Sequence, residues 1–253
     1  MSVRLPRARR REIHFLSAAE VTALAEATVS PYDTLIYLLA YGGLRWGEAA
    51  ALRRSRCHLT RSRIEVSESL AEVAGRLYFG PTKTYRRRTV VLPGFLREML
   101  AAHLARHVER TPEALVFTDS VGGPLRNANF RQRMWQPAVA AACLPEGLRI
   151  HDLRHTCAAL LIARGAHPKA IQAHLGHSSI QVTLDIYGHL FPDEMDRLAE
   201  QLDAAHVASS RQIAASVRHG GGAEVIEFPS RGRKVAADQG ASEWGGEDSN
   251  LRP

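Results

Sequence analysis

The segment RIHDLRHTCAALLIARG carries two side chains that can bind a phosphate near the start of a predicted helix. His151 and Arg154 are three residues apart, so both project from one face of a helix. A helix start favours an anion, because its free backbone N–H groups and the helix dipole both attract negative charge. The pair therefore predicts a phosphate site, although an H-x-x-R match on its own is common by chance.

His155 gives the same segment a second interpretation. It lies four residues after His151, which is the spacing of the two histidines in the H-E-x-x-H zinc motif. That motif needs a glutamate as general base, and position 152 is the shorter Asp152. The chain also has no cysteine or other obvious third ligand suitably placed. A zinc hydrolase is therefore a minor alternative.

Arg45 and Glu48 form another candidate group in YGGLRWGEAAAL. Arg45 follows the glycine pair Gly42-Gly43, which ends a predicted helix and so turns the backbone sharply. A carboxylate three residues further on can hold the guanidinium, and an arginine at such a junction can make a bidentate phosphate contact. The alternative is a surface ion pair worth less than about 1 kcal/mol.

Lys83 lies in GPTKTYRRRTVVLP, near a predicted turn between two strands. A flexible ammonium on a hairpin can reach a ligand, and it can donate a proton if desolvation lowers its pKa. Only three of the 33 basic residues are lysines, so a lysine here departs from the chain's preference for arginine. A solvated turn lysine is the alternative.

The stretch LGHSSIQVTLDIYGHL holds the last two candidates. His177 follows Gly176 at a predicted break between helices, and Tyr187 lies ten residues later near the end of a helical segment. Residues 168–187 also fit a helix-turn-helix, in which Ser178-Ser179 cap a recognition helix and Tyr187 is a packing or phosphate-contacting residue. Alone, this stretch does not separate the two interpretations.

Predicted helices carry most of these groups. Ser17 and Glu20 form a capping box that starts a helix ending near Ala27, and Ser30-Pro31 opens a second helix with proline at its first position. Helical patterns also cover residues 46–52, 94–108, 127–142 and 151–202, with breaks near residues 165–168 and 176. From Arg63 the runs RIEVSES, RLYFG and RTVVLP predict a small antiparallel sheet.

Composition indicates a globular protein with a polyanionic partner. The net charge is +7, and 45% of the residues are hydrophobic, without an apolar run as long as a membrane span. The N-terminus lacks the apolar region of a secretory signal, and three scattered cysteines make neither a disulfide framework nor a zinc knuckle. These features predict a cytoplasmic protein.

The order of six candidate residues closely resembles the catalytic domain of tyrosine recombinases, the phage integrase family: Arg45, Lys83, His151, Arg154, His177 and Tyr187. The resemblance runs from about residue 14 to residue 200. It rests on GGLRWGE, PTKT followed by RR and a V-x-LP strand, HDLRHTCA, and LGHSSIQVTLDIYGH. It implies an α+β, mainly α fold in which a small antiparallel sheet carries the lysine hairpin and packs on a helical core.

The resemblance also implies a reaction in which Tyr187 attacks a DNA phosphodiester and becomes joined to its 3′-phosphate. Fixed cations stabilise the charge that builds up on the non-bridging oxygens, a role that suits Arg45 and Arg154. His177 donates a further hydrogen bond, and His151 relays the tyrosine proton or assists the phosphate contact. By resemblance Lys83 protonates the leaving 5′-oxygen. Glu48 is a supporting residue, and the chemistry needs no metal or nucleotide cofactor.

The implied partner is double-stranded DNA, which places the protein with the nucleoid. Four copies of the chain would assemble on paired DNA sites as a homotetramer, and the chain would be a monomer without DNA. The predicted organisation is a basic arm or linker at residues 1–13, a catalytic domain at residues 14–217 that includes a C-terminal helix, and a flexible tail at residues 218–253. Six arginines are candidate DNA contacts: Arg7, Arg9, Arg10, Arg11, Arg86 and Arg87.

Two features leave alternatives open. Family members usually carry an N-terminal core-binding domain, and only the arm precedes residue 14, so we expect weak DNA binding with a steep salt dependence. A DNA-binding module or a truncated inactive fragment is the alternative function. The C-terminal helix has a possible apolar stripe that would dock on a neighbouring protomer or pack on its own core: Leu198, Leu202, Ala205 and Val207.

Overall fold

The computed structural model describes residues 13–82, 87–191 and 195–218. It divides into two compact units, residues 1–193 and residues 194–253. The described part of the second unit is a single helix, α10, over Met195–Arg218. All other elements belong to the first unit.

Nine α-helices of the described first unit are α1 Ala18–Ala27, α2 Asp33–Gly42, α3 Trp46–Ala50, α4 Gly94–His107, α5 Asn127–Phe130, α6 Gln136–Ala141, α7 Asp152–Ile162, α8 Pro168–Leu175 and α9 Ile180–Tyr187. A π-helical segment, Arg131–Trp135, joins α5 to α6. The strands are β1 Cys57–His58, β2 Arg63–Val66, β3 Glu68–Val73, β4 Arg76–Pro81 and β5 Arg88–Val91. The architecture is therefore α+β and mainly helical, as predicted.

The start of α1 confirms the sequence prediction. The Ser17 hydroxyl accepts a hydrogen bond from the Glu20 N–H, and the Glu20 carboxylate accepts one from the Ser17 N–H. The next helix begins later than predicted. Proline at position 31 precedes it, and α2 begins at Asp33, with Tyr32 at the N-cap position and no side-chain capping bond.

The β-strands form two antiparallel sheets, where the sequence predicted one. The first has the order β1-β2-β5, with Ile64 opposite Val90, and the second is the hairpin β3-β4, with Leu70 opposite Phe79. The strands on either side of Lys83 therefore belong to different sheets, since β4 pairs with β3 and β5 pairs with β2. The expected pairing of β4 with β5 across a lysine hairpin was wrong.

Two clusters of buried apolar side chains hold the helices together. The larger is centred on α2, which packs against α1, α4 and α7 and is buried on nearly all sides. The smaller lies between α7, α8 and α9, and includes Cys157, Ile171, Leu175 and Tyr187. Because α7 contributes to both clusters, it connects the body of the fold to the helices that carry the last two candidate residues.

No helix within residues 13–82, 87–191 and 195–218 is both long and apolar enough to cross a bilayer.

Candidate active site

One cleft of about 870 Å³ brings together five of the six predicted catalytic residues: Arg45, His151, Arg154, His177 and Tyr187. They come from the start of α3, the first turn of α7, the turn between α8 and α9, and the end of α9. Residues separated by up to 142 positions in the sequence thus share one cavity. Their grouping supports the interpretation of the three sequence motifs that carry them as parts of a single site.

Arg154 is fixed by two backbone carbonyl groups at the floor of the cleft. Its Nη1 donates to the Gly43 oxygen and its Nη2 to the Leu175 oxygen, both at 2.5 Å, and the residue is only 3% exposed. Burial, together with the positive charge of Arg45, lowers its pKa to about 9. The guanidinium therefore stays charged at neutral pH and has no carboxylate partner among the described residues, which leaves its charge available to an anion.

Gly43 lets α2 approach α7 and α8 this closely. It ends α2 in the left-handed conformation, with a φ of 65°. A Cβ atom at this position would lie 2.5 Å from Leu175 Cδ2 and 3.0 Å from Cys157 Sγ. Glycine thus supplies both the turn and the space that bring the Gly43 carbonyl group to Arg154.

Glu48 joins two arginines beneath the cleft. Its carboxylate accepts a bidentate pair from Arg88, at 2.9 and 2.7 Å, and a bond of 2.9 Å from Arg45 Nη1. It also accepts the Arg45 N–H at the start of α3. Burial alone would raise the pKa of Glu48, but the hydrogen bonds and charges of Arg88, and then of Arg45, outweigh it and lower the pKa to about 2. The Glu48 carboxylate thus contacts both the guanidinium and the backbone of Arg45.

Arg88 also ties the sheet to the helices. Its Nε donates to the His174 oxygen near the C-terminus of α8, at 3.1 Å. Gly176, which follows that helix with a φ of 70°, leaves room for the arginine, because a Cβ there would lie 2.8 Å from Arg88 Cδ. The strand β5, the end of α8 and Glu48 are therefore held by one guanidinium.

His177 follows this glycine turn and faces Tyr187. Its Nδ1 lies 2.9 Å from the hydroxyl of Thr183, which is fully buried on α9. The His177 and Tyr187 rings stack with their centroids 6.3 Å apart. Burial, followed by the charges of Arg154 and Arg45, lowers the pKa of His177 to about 4. The ring is neutral at neutral pH, and one nitrogen remains free to bind a ligand in the cleft.

Tyr187 is the least exposed of the five cleft residues, at 1%. Its hydroxyl lies 2.9 Å from Nδ1 of His155. Burial raises the pKa of Tyr187 to about 12, and the charge of Arg154 acts in the opposite direction. The phenol is thus protonated and close to a fixed cation. It can serve as a nucleophile towards a group that Arg154 binds, once its proton is removed.

His151 immediately precedes α7, as predicted, and its pKa is lowered by partial desolvation and by the nearby charge of Arg154. It also lines a second cleft of about 880 Å³, with Trp46, Trp135 and Arg149. The cleft with Tyr187 holds the tyrosine and the converging cations together, so we identify that one as the candidate active site.

The alternatives drawn from the same segments gain no support. No group of three His, Cys, Asp or Glu residues that could hold a metal ion occurs within the described residues, and Nδ1 of His155 faces Tyr187. The helix-turn-helix arrangement exists, as α8 and α9 pack against each other. However, Tyr187 is buried inside the cleft and is not on an exposed DNA-facing surface.

Several predicted residues lie outside the described residues: Lys83, Arg86, Arg7, Arg9, Arg10 and Arg11. Arg87 is described. It lines the cleft, is largely exposed, and has Nη1 3.8 Å from Glu65 Oε1. Its assignment as a DNA contact remains a prediction.

Sequence reasoning missed two contacts. Arg88 is not among the predicted site residues, whereas its neighbours Arg86 and Arg87 are. It nevertheless lies two residues before the buried Val90 and so shares the inward face of β5. The contact of His155 with Tyr187 joins residues 32 positions apart. The sequence gives no signal for that contact.

The chain is similar in sequence to known proteins. The sequence model described as "Phage integrase family" matches residues 14–194. The integrase of Mycobacterium phage FRAT1 is 30% identical over 179 residues, which are 69% of this chain and 53% of the phage protein. The tyrosine recombinase XerC-like protein of Caldanaerobacter subterraneus is 28% identical and aligns with 76% of this chain and 54% of its own.

Solved structures show the same fold. The Tn1549 transposon integrase, in complex with circular intermediate DNA, matches with a TM-score of 0.67 at 22% identity, over 77% of this chain and 68% of the other. The catalytic domain of bacteriophage HP1 integrase matches with a TM-score of 0.54 at 23% identity, over 75% of this chain and 95% of the other. The chain spans about half the length of the curated relatives that it matches.

Proposed function

Because the chain belongs to the phage integrase family, we propose that it is a site-specific DNA recombinase or integrase. It cleaves and rejoins DNA strands through a 3′-phosphotyrosine intermediate at Tyr187. The observation that carries the proposal is a cleft that a buried tyrosine shares with two arginines. Glu48 holds Arg45, and backbone carbonyl groups hold Arg154.

The two arginines stabilise the transition state of phosphoryl transfer. Attack on a phosphodiester concentrates negative charge on its non-bridging oxygens, and cations held in advance stabilise that charge without reorganising. Arg154 is held by carbonyl groups and Arg45 by Glu48, so neither must be ordered when the phosphate arrives. His177 adds a neutral hydrogen-bond donor on the side of Tyr187.

Strand cleavage forms a bond between the Tyr187 oxygen and phosphorus and breaks the bond from phosphorus to the 5′-oxygen. The phenol proton passes to the histidine side of the cleft, where His151 is the relay implied by the family. The leaving 5′-oxygen takes its proton from Lys83. Rejoining reverses the step with the 5′-hydroxyl of another strand. Because the phosphotyrosine retains the energy of the phosphodiester, the cycle needs no metal or nucleotide.

The proposed partner is double-stranded DNA, with four copies of the chain on paired sites and a monomer in its absence. The net charge of +7 supports a polyanionic partner, and the similar Tn1549 integrase is described in complex with DNA. In α10, Leu198, Leu202 and Ala205 follow helical spacing, which suits docking on a neighbouring copy. A location with the nucleoid and the arm, domain and tail division at residues 13 and 217 remain predictions.

The proposal is tested with a pool of randomised DNA duplexes that each carry a nick. Cleavage next to a nick releases a short strand, so rejoining fails and the protein–DNA adduct accumulates. We expect an adduct that survives denaturing electrophoresis and is lost in Tyr187→Phe, while DNA binding in a filter assay is retained.

The matched control is Tyr78→Phe, the same chemical change on an exposed residue of β4. It should form the adduct at the wild-type rate. An adduct that persists in Tyr187→Phe would refute the proposal, as would a wild-type chain that binds the pool without forming any adduct. Strand cleavage that leaves no adduct and is abolished by a chelator would point to the zinc alternative.

A further inference from the structure

His155 makes a direct contact with the proposed nucleophile, yet it is not among the six residues that carry the family resemblance. Its Nδ1 lies 2.9 Å from the Tyr187 hydroxyl oxygen, and the ring centroids are 5.8 Å apart at 60°. Within the described residues, this is the hydrogen bond that the phenol makes. The sequence suggested a different use for His155, as a zinc ligand.

We propose that His155 is a positioning residue for strand cleavage: its Nδ1 accepts the hydrogen bond of the Tyr187 hydroxyl and so holds the phenol oxygen beside the phosphate-binding arginines. This inference rests on the proposed function, because it takes Tyr187 to be the nucleophile. It adds a seventh residue to the site and gives it a role that works through another side chain.

The location of His155 on α7 makes this contact effective. His155 is adjacent in sequence to Arg154, and both are buried in the first turns of that helix. The same rigid element therefore fixes the guanidinium that would bind the phosphate and the acceptor that orients the phenol. A nucleophile gains rate when its reacting atom is held close to the near-attack geometry, and one shared helix keeps the two groups in a constant relation.

Neighbouring rings restrict the phenol in the remaining directions. The Tyr187 ring stacks on His177 at 6.3 Å, and Phe15 packs at 6.5 Å with a tilt of 58°. These ring contacts act on the faces and edge of the ring and do not fix the hydroxyl group. The hydrogen bond to His155 acts at the hydroxyl end.

Protonation decides the direction of the hydrogen bond. Burial, then the neighbouring His151, lowers the pKa of His155 to about 4, with Arg149 and Arg154 acting in the same direction and Asp152 against it. Burial raises that of Tyr187 to about 12. A neutral ring and a protonated phenol share one proton in this contact. When the phenol donates it, the lone pairs of the oxygen stay available for attack, which is the arrangement that the proposal requires.

Nuclear magnetic resonance tests this direction without any DNA. In the full chain labelled with ¹⁵N-histidine, we expect His155 to be the tautomer protonated at Nε2, with Nδ1 as acceptor. Tyr187→Phe should shift the Nδ1 resonance, because the donor is lost. A proton on Nδ1, or an Nδ1 chemical shift that is unchanged in Tyr187→Phe, would overturn the proposal.

Two substitutions test the consequence for cleavage. Asparagine can place an amide oxygen near the position of Nδ1, whereas leucine fills the space without an acceptor. At saturating nicked DNA, His155→Leu should slow adduct formation by about 100-fold, as expected for a misplaced nucleophile. His155→Asn should recover most of the rate, and the DNA affinity of both variants should equal that of the wild type.

The controls separate positioning from folding and from proton transfer. His107→Leu makes the same change on an exposed residue of α4 and should keep the wild-type rate. A wild-type rate in His155→Leu would contradict the proposal, and an equally slow His155→Asn would indicate proton transfer in its place. If His155→Leu does not fold, the ¹⁵N-histidine spectra and the adduct-formation rate of His155→Asn still test the proposal.

Failure of the proposed function gives a different pattern. In that case the wild type forms no adduct, or the adduct survives in Tyr187→Phe. Failure of the present inference leaves a Tyr187-dependent adduct whose rate does not respond to position 155.

Discussion

The two sides of the cleft are held by different kinds of interaction. The cation side, defined here as Arg45, Glu48, Arg88 and Arg154, is fixed by a buried ion-pair network and by bonds to backbone carbonyl groups. The tyrosine side, defined as His155, His177, Thr183 and Tyr187, is held by two hydrogen bonds between neutral side chains. Charged hydrogen bonds are roughly twice as strong as neutral ones. The phosphate site is therefore more rigidly prepared than the nucleophile.

The surrounding packing follows the same division. Glu48 lies on α3 among residues of the larger apolar cluster, whereas Tyr187 belongs to the smaller cluster of α7, α8 and α9. Fewer buried contacts make local motion less costly. This difference suits the proposed reaction, in which the cations stay in place while the tyrosine oxygen forms a bond to DNA and later releases it.

Removal of the carboxylate should have the largest effect on the free energy of unfolding. Glu48→Leu leaves Arg88, whose side chain is 9% exposed, without its bidentate partner. Breaking a buried ion pair from one side typically costs about 3–5 kcal/mol, and urea unfolding at neutral pH measures it. As a control, Glu65→Gln removes a half-exposed carboxylate paired with Arg56 and should cost less than about 1 kcal/mol. Equal losses in the two variants would show that the Glu48 ion pairs contribute no more than a partly exposed pair, which would contradict the account of the cation side.

Acid should weaken the two sides in different pH windows. For His155 and His177 the folded pKa of about 4 lies below the ordinary histidine pKa of 6.5, so protons bind the unfolded chain first. Stability contributed by the tyrosine side is therefore lost as the pH falls from 6.5 to 4, by at most about 1.4 kcal/mol per pH unit for each histidine. Glu48, with a pKa lowered from 4.5 to about 2, contributes above pH 4.5 and loses its effect towards pH 2.

Urea unfolding measured across this pH range tests the order of the two losses. The double variant His155→Asn, His177→Asn should make the decline between pH 6.5 and 4 shallower and leave the lower window in place. The remaining decline comes from His103, His151 and His174, whose pKa values burial also lowers. A decline that starts only below pH 4.5 in the wild type would show that these histidines are not depressed in the folded protein.

Loss of the Thr183 hydroxyl should have the smallest effect on stability. Thr183→Val removes the bond of 2.9 Å to His177 at little change in shape and should cost about 1 kcal/mol. Because His177 then loses its orientation, adduct formation should slow while DNA affinity is retained. Thr22→Val, on the exposed side of α1, serves as the control. An unchanged rate in Thr183→Val would show that His177 does not need this partner.

The sequence predicted much of the fold because its signals are local. The capping box at Ser17 and Glu20 lies within four residues, and the helical periodicities cover whole elements. The sheets were harder, since strand pairing depends on contacts distant in sequence. The runs around Lys83 read as one hairpin, yet β4 and β5 pair with other strands. Alternation of apolar and polar residues predicts a strand, but it does not show which other strand pairs with it.

The candidate site shows the same limit. Residue types and order identified Arg45, His151, Arg154, His177 and Tyr187, and the structure places all five in one cleft. The supporting contacts were less accessible. Arg88 reaches Glu48 across 40 positions, and a run of three arginines hides which of them faces inward. Contacts of this kind follow from the tertiary fold and have no local pattern.

The most direct test of the account is to locate the covalent bond itself. The wild-type adduct with the nicked DNA pool is digested with nuclease and protease, and the modified peptide is sequenced by mass spectrometry. We predict one deoxynucleotide 3′-phosphate on the side chain of Tyr187. A nucleotide attached to any other residue, or through its 5′-phosphate, would contradict the account.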